Sequence, residues 1–238
     1  MYNSHPQSSG FMNATPSFLT SSKPSIQQED SVVVALDIGC NNVKMAAARV
    51  NEHNRLDVLA ICSEPVNQAV RRGDIENVDE ATNAILKVRH QCEHQSGLML
   101  DQVYVGLSGR SVRVKKERSI ITRPDKDKEI DQTDLDRLRE DVSRVSIPEG
   151  HEILHVVPQY YAVDSTKGIR QPLGFTGLRL ECTFLIITVG TQQIKTLYRC
   201  VERAGMQVAG VTLTSLASSR ALLNQEEKEG GVCLLDIG

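Results

Sequence analysis

Two short strings in the chain carry the residue types that hold phosphate and divalent metal. Val33 to Gly39 reads VVALDIG and Val232 to Gly238 reads VCLLDIG, which puts Asp37 and Asp236 199 residues apart. A buried strand that ends in aspartate and runs into a glycine-bearing turn sets one carboxylate and several backbone N–H groups at the carboxyl edge of a sheet. Anions and hydrated cations bind there. A single Asp-x-Gly is most often only a turn. Its repetition at domain-scale spacing points instead to two facing hairpins able to clamp a nucleotide's phosphates and its Mg²⁺.

Other stretches offer competing chemistry. HEILH, His151 to His155, fits the zinc-protease pattern, which needs a helix so that both imidazoles share a face. Pro148 and Gly150 precede it and VVPQYY follows, so the segment reads as a strand, where residues four apart lie about 13 Å from each other and share no metal. His90 and His94 fall on a helix without a third ligand and read as a solvated pair. RRGD, Arg71 to Asp74, reads as a turn, and VKKERS as a solvated strand face.

The elements that must position Asp37 follow from periodicity. VVVALDIG is a strand buried on both faces; after a turn at Cys40, Asn41 and Asn42 it forms a hairpin with VKMAAARV. LDVLAICS adds a third strand. A helix follows with Ala81, Ile85, Val88 and Cys92 on one side and Gly97 as its stop, and VYVGLS returns to the sheet. Residues 111–133 are charged and read as loop-rich. TDLDRLREDVSRV is a helix that Thr133 can cap, with Leu135, Leu138, Val142 and Val145 facing inward. HEILHVVPQYYAVD and RLECTFLIITV are strand-like, so this stretch is a small module inserted into an α/β unit. The α/β rhythm resumes with a helix lined by Ile194, Leu197, Val201 and Ala204, then the strand VAGVTLT, the helix SLASSRALLNQ and a last strand GVCLLDIG.

Composition bounds the partners. A net charge of -3 over 238 residues, with bases and acids interspersed, supplies no field for nucleic acid or for anionic lipid. Six scattered cysteines without a CxxC pair fit a reduced, cytosolic chain. The first thirty residues, rich in Ser, Pro, Asn and Gln, read as a disordered tail.

Duplicated α/β halves that each open with a phosphate-binding hairpin describe the actin-like ATPase superfamily. Within it the chain resembles the N-terminal half of the FtsA family of bacterial division proteins. The stretches that carry this are VVALDIG with Lys44, VYVGLSGR, HEILHVVPQYYAVD, GLRLECTFLIIT, VERAGMQV, SLASSRALL and GVCLLDIG. The resemblance implies an actin-like (ribonuclease-H-like) α/β fold with an inserted small α+β subdomain of the 1C type. The implied layout is a tail over 1–30, subdomain 1A over 31–107 and 188–230, the insertion over 108–187, and the first strand of subdomain 2A over 231–238.

Carried onto this sequence, the first phosphate motif implies Asp37, Gly39, Cys40, Asn41 and Lys44, and the second begins with Asp236 and Gly238. Asp37 and Asp236 would hold Mg²⁺ through water, Gly39 to Asn41 would offer N–H groups to ATP phosphates, and Lys44 would add positive charge. Cys40 stands where a Ser or Thr hydroxyl is common. Before the LASS-like helix the chain reads Thr212, Leu213, Thr214, Ser215 rather than an acid or amide, so the resemblance implies ATP binding with slow or negligible hydrolysis in a protein that is primarily an adaptor.

The family further implies anchoring of FtsZ filaments at the inner face of the cytoplasmic membrane at the septum, through a C-terminal half and a membrane helix beyond these residues. The inserted subdomain would serve self-association and contacts with other divisome proteins. With one wall of the clamp the chain is expected to bind nucleotide weakly by itself. The alternatives are a PilM-like pilus-assembly scaffold and a sugar-kinase-like phosphotransferase.

Overall fold

The computed structural model describes residues 32–236, so the tail expectation and Gly238 lie outside the described residues. Strands β1 (Val32–Ile38), β2 (Asn42–Val50) and β3 (Leu56–Pro65) form an antiparallel meander. Val34, Leu36 and Ile38 alternate inward on β1, and Val43, Met45 and Ala47 do so on β2. These side chains bury one face of the sheet and leave the odd positions of β1, Asp37 among them, on the other.

RRGD forms a two-residue hairpin, as the sequence suggests: β4 (Val70–Arg71) and β5 (Asp74–Ile75) are joined by Arg72 and Gly73, both at positive φ. Helix α1 (Val78–Ser96) starts at Asn77, whose side chain accepts from the N–H groups of Asp79 and Glu80, and stops at Gly97 with φ +71°. Its buried stripe includes Ala81, Ile85, Val88 and Cys92. Strand β6 (Gln102–Leu107) then runs parallel to β1.

The insertion follows. It comprises β7 (Arg113–Thr122), α2 (Gln132–Ser143), β8 (His151–Val163), β9 (Thr166–Ile169) and β10 (Arg179–Gly190), with a four-stranded sheet in the order β7-β10-β8-β9. Two expectations change here. Within the charged stretch read as loop-rich, the strand read at VKKERS extends over the whole of β7, whose first six residues face solvent or its margin while Ser119 and Ile121 point inward. An edge strand with one wetted face can carry such charge. The cap of α2 is Asp131, which exchanges a capping box with Asp134; Thr133 lies inside the helix. Leu135, Leu138 and Val142 of α2 pack with Cys182, Phe184 and Ile186 of β10 in a core separate from the main one.

The chain returns through α3 (Thr191–Arg203), β11 (Gln207–Leu213), α4 (Thr214–Leu222) and α5 (Gln225–Gly230). The main sheet has the order β11-β6-β1-β2-β3, with β1, β6 and β11 parallel. Helices α1 and α3 cover its apolar face together. The last strand expected from the sequence does not form: residues 231–236 make no ladder, and Val232 and Leu235 are 50% and 76% exposed. No strand among the described residues lies beside this segment to satisfy its backbone, so apolar content alone does not make it a strand.

Candidate functional site

Three parallel strands end side by side, and the sequence-selected carboxylate lies among them. In the ladders Asp37 is opposite Lys44 of β2 and opposite Gly106 of β6, while Gly106 in turn is opposite Thr212 of β11. The crevice outside the carboxyl ends of parallel strands is where open α/β sheets bind ligands. Asp37 faces away from the α1–α3 core because its neighbours Leu36 and Ile38 face into it.

Gly106 leaves the room this arrangement needs. A Cβ at that position would lie 3.1 Å from Thr214 Oγ1 and 3.4 Å from Asp37 Oδ1, so hydroxyl and carboxylate converge on the space above one glycine. Thr214 Oγ1 is buried and has no hydrogen-bond partner. Burial pushes the Asp37 carboxyl above its usual range, Lys44 opposes that shift, and the Asp236 carboxylate adds to it. Asp37, Lys44 and Asp236 therefore share one electrostatic neighbourhood.

The turn residues behave differently from one another. The Gly39 N–H, one of the groups expected to face a phosphate, donates to the Asn42 carbonyl at 3.1 Å and closes the hairpin. The Asn41 carbonyl accepts from the Val66 N–H at 3.0 Å and pins the turn to the chain after β3. Cys40 and Asn41 are exposed at the tip, and Lys44 is exposed beside Asp37. Asp236 is exposed on the extended end segment.

A hydrated Mg²⁺ and a polyphosphate fit this donor set: a half-buried carboxylate, an orphaned hydroxyl, a lysine and a second carboxylate within electrostatic reach. Sequence reasoning missed Gly106, although a glycine inside a strand signals close approach. It saw Thr214 only as the absence of an acid.

HEILH is part of a strand, as the sequence suggested. His151 and His155 lie on strand β8. The His155 Nε2 accepts from the Leu213 N–H at 3.0 Å, tying the insertion to the end of β11. Among the described residues no three or more His, Cys, Asp or Glu side chains are grouped to hold a metal ion. All six cysteines are free thiols.

A mixed sheet with helices on one face, a carboxylate-bearing hairpin at its parallel strand ends and a small α+β insertion between β6 and α3 define an actin-like α/β fold. A chain of a solved PilM–PilN type IV pilus biogenesis complex shares it, with a TM-score of 0.56 at 13% identity over 80% of this chain and 49% of that one. Residues 109–188 match the SHS2 domain inserted in FtsA. The chain is 36% identical over 208 residues to the cell division protein FtsA of Borreliella burgdorferi, covering 87% of this chain and 50% of that protein. It is 30% identical over 211 residues to FtsA of Pseudomonas aeruginosa, covering 89% and 50%, and 31% identical over 209 residues to that of Bacillus subtilis, covering 88% and 47%. The chain belongs to the FtsA family and corresponds to the N-terminal half of its members. It spans about half the length of the curated relatives it matches.

Proposed function

We propose that this FtsA-like polypeptide is part of an ATP-binding adaptor that ties FtsZ filaments to the inner face of the cytoplasmic membrane and helps assemble the division ring. The observation that carries this reading is that the similarity to FtsA runs through both the α/β body and the inserted domain. The shared fold alone would suit a pilus scaffold or a sugar kinase equally well. We assign 31–107 and 188–230 to subdomain 1A and 108–187 to subdomain 1C, with the latter serving contacts to other copies and to divisome proteins.

Asp37 and Asp236 would hold Mg²⁺ through its waters, and Lys44 with the Cys40–Asn41 turn would face the phosphates. Bound Mg²⁺ neutralises phosphate charge. The Thr214 hydroxyl, unpartnered beside Asp37, would donate a hydrogen bond to a ligand or water there but does not deprotonate near neutral pH, so it would orient that group without acting as a base. Binding without rapid turnover follows.

The test uses protein from the complete coding region. It should bind Mg²⁺-ATP in calorimetry, turn it over slowly and cosediment with FtsZ filaments on lipid vesicles. Asp37→Asn should weaken ATP binding about tenfold or more while leaving the circular dichroism spectrum unchanged. Binding neither ATP nor FtsZ would overturn the reading, and rapid phosphoryl transfer to a sugar would favour the kinase.

A further inference from the structure

The inserted sheet has α2 on one face, and around Glu181 and Thr183 the opposite face is covered by no helix among the described residues. On β10, Cys182, Phe184 and Ile186 point into the core beneath α2, while Glu181 and Thr183 point to the open face. In register with them stand Ile120 and Arg118 of β7, Ala162 and Tyr160 of β8, and Lys167 of β9 across from Ala162. Arg118, Tyr160, Ala162, Lys167, Glu181 and Thr183 line a depression of about 170 Å³.

Charge on this face is one-sided. Glu181, with its side chain 8% exposed, is the floor's only acid and is shared by two guanidinium groups, Arg118 and Arg179, the latter at 2.6 Å. Lys116 lies over the Tyr160 ring, 5.6 Å from its centroid, and Lys167 has no carboxylate partner among the described residues. One carboxylate therefore faces four cations on a chain whose net charge is -3. Tyr160 and Ile120, each 43% exposed, add apolar surface between the charges.

We propose that the open face of the inserted sheet docks an acidic, extended segment of a partner protein, seating one of its carboxylate side chains in the depression between Arg118 and Lys167 and an apolar side chain on Tyr160 and Ile120. Charge complementarity selects an acidic occupant. Concavity selects a peptide: a polar floor below the rim is reached by a protruding side chain and not by a flat bilayer. The buried Glu181 at the centre disfavours a phosphate backbone laid across the face. This gives a partner chemistry to the contact role proposed for the insertion, and it rests on that part of the proposed function. It needs neither ATP nor FtsZ.

The experiment uses the 238-residue chain and a short fluorescein-labelled peptide alternating glutamate with isoleucine, read by anisotropy at low salt. Binding should weaken as salt rises. The double variant Lys116→Ser with Lys167→Ser, which leaves the Arg118–Glu181–Arg179 cluster intact, should weaken it about tenfold, and Arg137→Ser on α2 should leave it unchanged. Saturable binding of the parent chain with that pattern supports the proposal. No binding, equal loss with Arg137→Ser, or preference for the lysine counterpart peptide, phosphatidylglycerol vesicles or a single-stranded oligonucleotide overturns it. Failure here with intact ATP and FtsZ binding in the complete protein would remove the docking face and leave the adaptor reading standing.

Discussion

Gly73 and Gly97 both adopt a left-handed backbone, with φ +81° and +71°, and differ only in what surrounds them. Around Gly97 a Cβ would meet nothing within 4 Å. At Gly73 it would lie 2.5 Å from Gly109 Cα, 2.6 Å from Ser108 O and 2.8 Å from Gly109 N, all backbone atoms. Carbon atoms pack at about 3.5–4.0 Å, so the RRGD hairpin would have to lift from the 108–109 segment by about 1 Å. Three contacts hold it down: Gln193 Nε2 donates to the Gly73 carbonyl at 3.1 Å and to Ser108 O at 3.3 Å, and Arg110 Nε meets Asp74 Oδ2 at 3.0 Å. Gly97→Ala should cost only the left-handed penalty, about 1–2 kcal/mol. Gly73→Ala should cost the same plus overpacking, about 1–3 kcal/mol more. With a urea slope of about 2 kcal/mol per M, the two midpoints should differ by about 0.5–1.5 M. Equal midpoints would refute the reasoning, since the two variants share everything except the close approach. The consequence reaches the site, because Ser108 and Gly109 lie two and three residues after Gly106.

Two further outcomes are expected. Arg123, its side chain 2% exposed, donates to Asp134 and to the carbonyls of Lys128, Glu129 and Gly177, each at 2.8 Å. Arg123→Ala should cost about 3–5 kcal/mol by stranding a buried carboxylate, and Arg123→Lys should recover little because a point charge cannot serve four acceptors. Hydrogen exchange should rise at 128–131 and 175–179 and stay unchanged in α1, whose core is separate; uniform loss of protection would contradict this. His155 has its pKa lowered, first by burial and then by Arg220. The unfolded chain therefore takes up a proton more readily than the folded one, so the His155 contribution is neutral above about pH 6.5 and destabilising as pH falls below it. Unfolding free energy should drop between pH 7.5 and 5.5, and His155→Gln, which keeps an acceptor for Leu213 N–H, should flatten that drop. Equal pH slopes in the two proteins would refute it.

What the sequence made legible was local. The stripe of α1, its left-handed stop at Gly97 and the turn at Arg72–Gly73 are each specified within a few residues, so periodicity and turn chemistry sufficed. VKKERS was legible as a solvated strand face, but the charge around it hid the full extent of β7, whose inward face shows only at Ser119 and Ile121. The cap of α2 fell to Asp131 rather than Thr133 because Asp134, three residues on, completes a reciprocal pair. Half of the candidate site was out of reach for a different reason. Thr214 and Gly106 meet Asp37 only through the parallel pairing of β1, β6 and β11, which no short window encodes.

The repeated string makes the same argument most sharply. VVALDIG and VCLLDIG have nearly the same apolar content and the same ending, yet the first is a strand, with β2 and β6 flanking it and accepting its backbone on both sides, while 232–236 of the second are not. The second has no neighbour among the described residues, and Leu235 faces solvent where the equivalent Leu36 is buried. Strand formation here belongs to the pairing and not to the string. Asp236 is therefore held near Asp37 by an extended segment rather than by a sheet. In the proposed ATP site, strands that pair with 232–236 would fix that carboxylate in place.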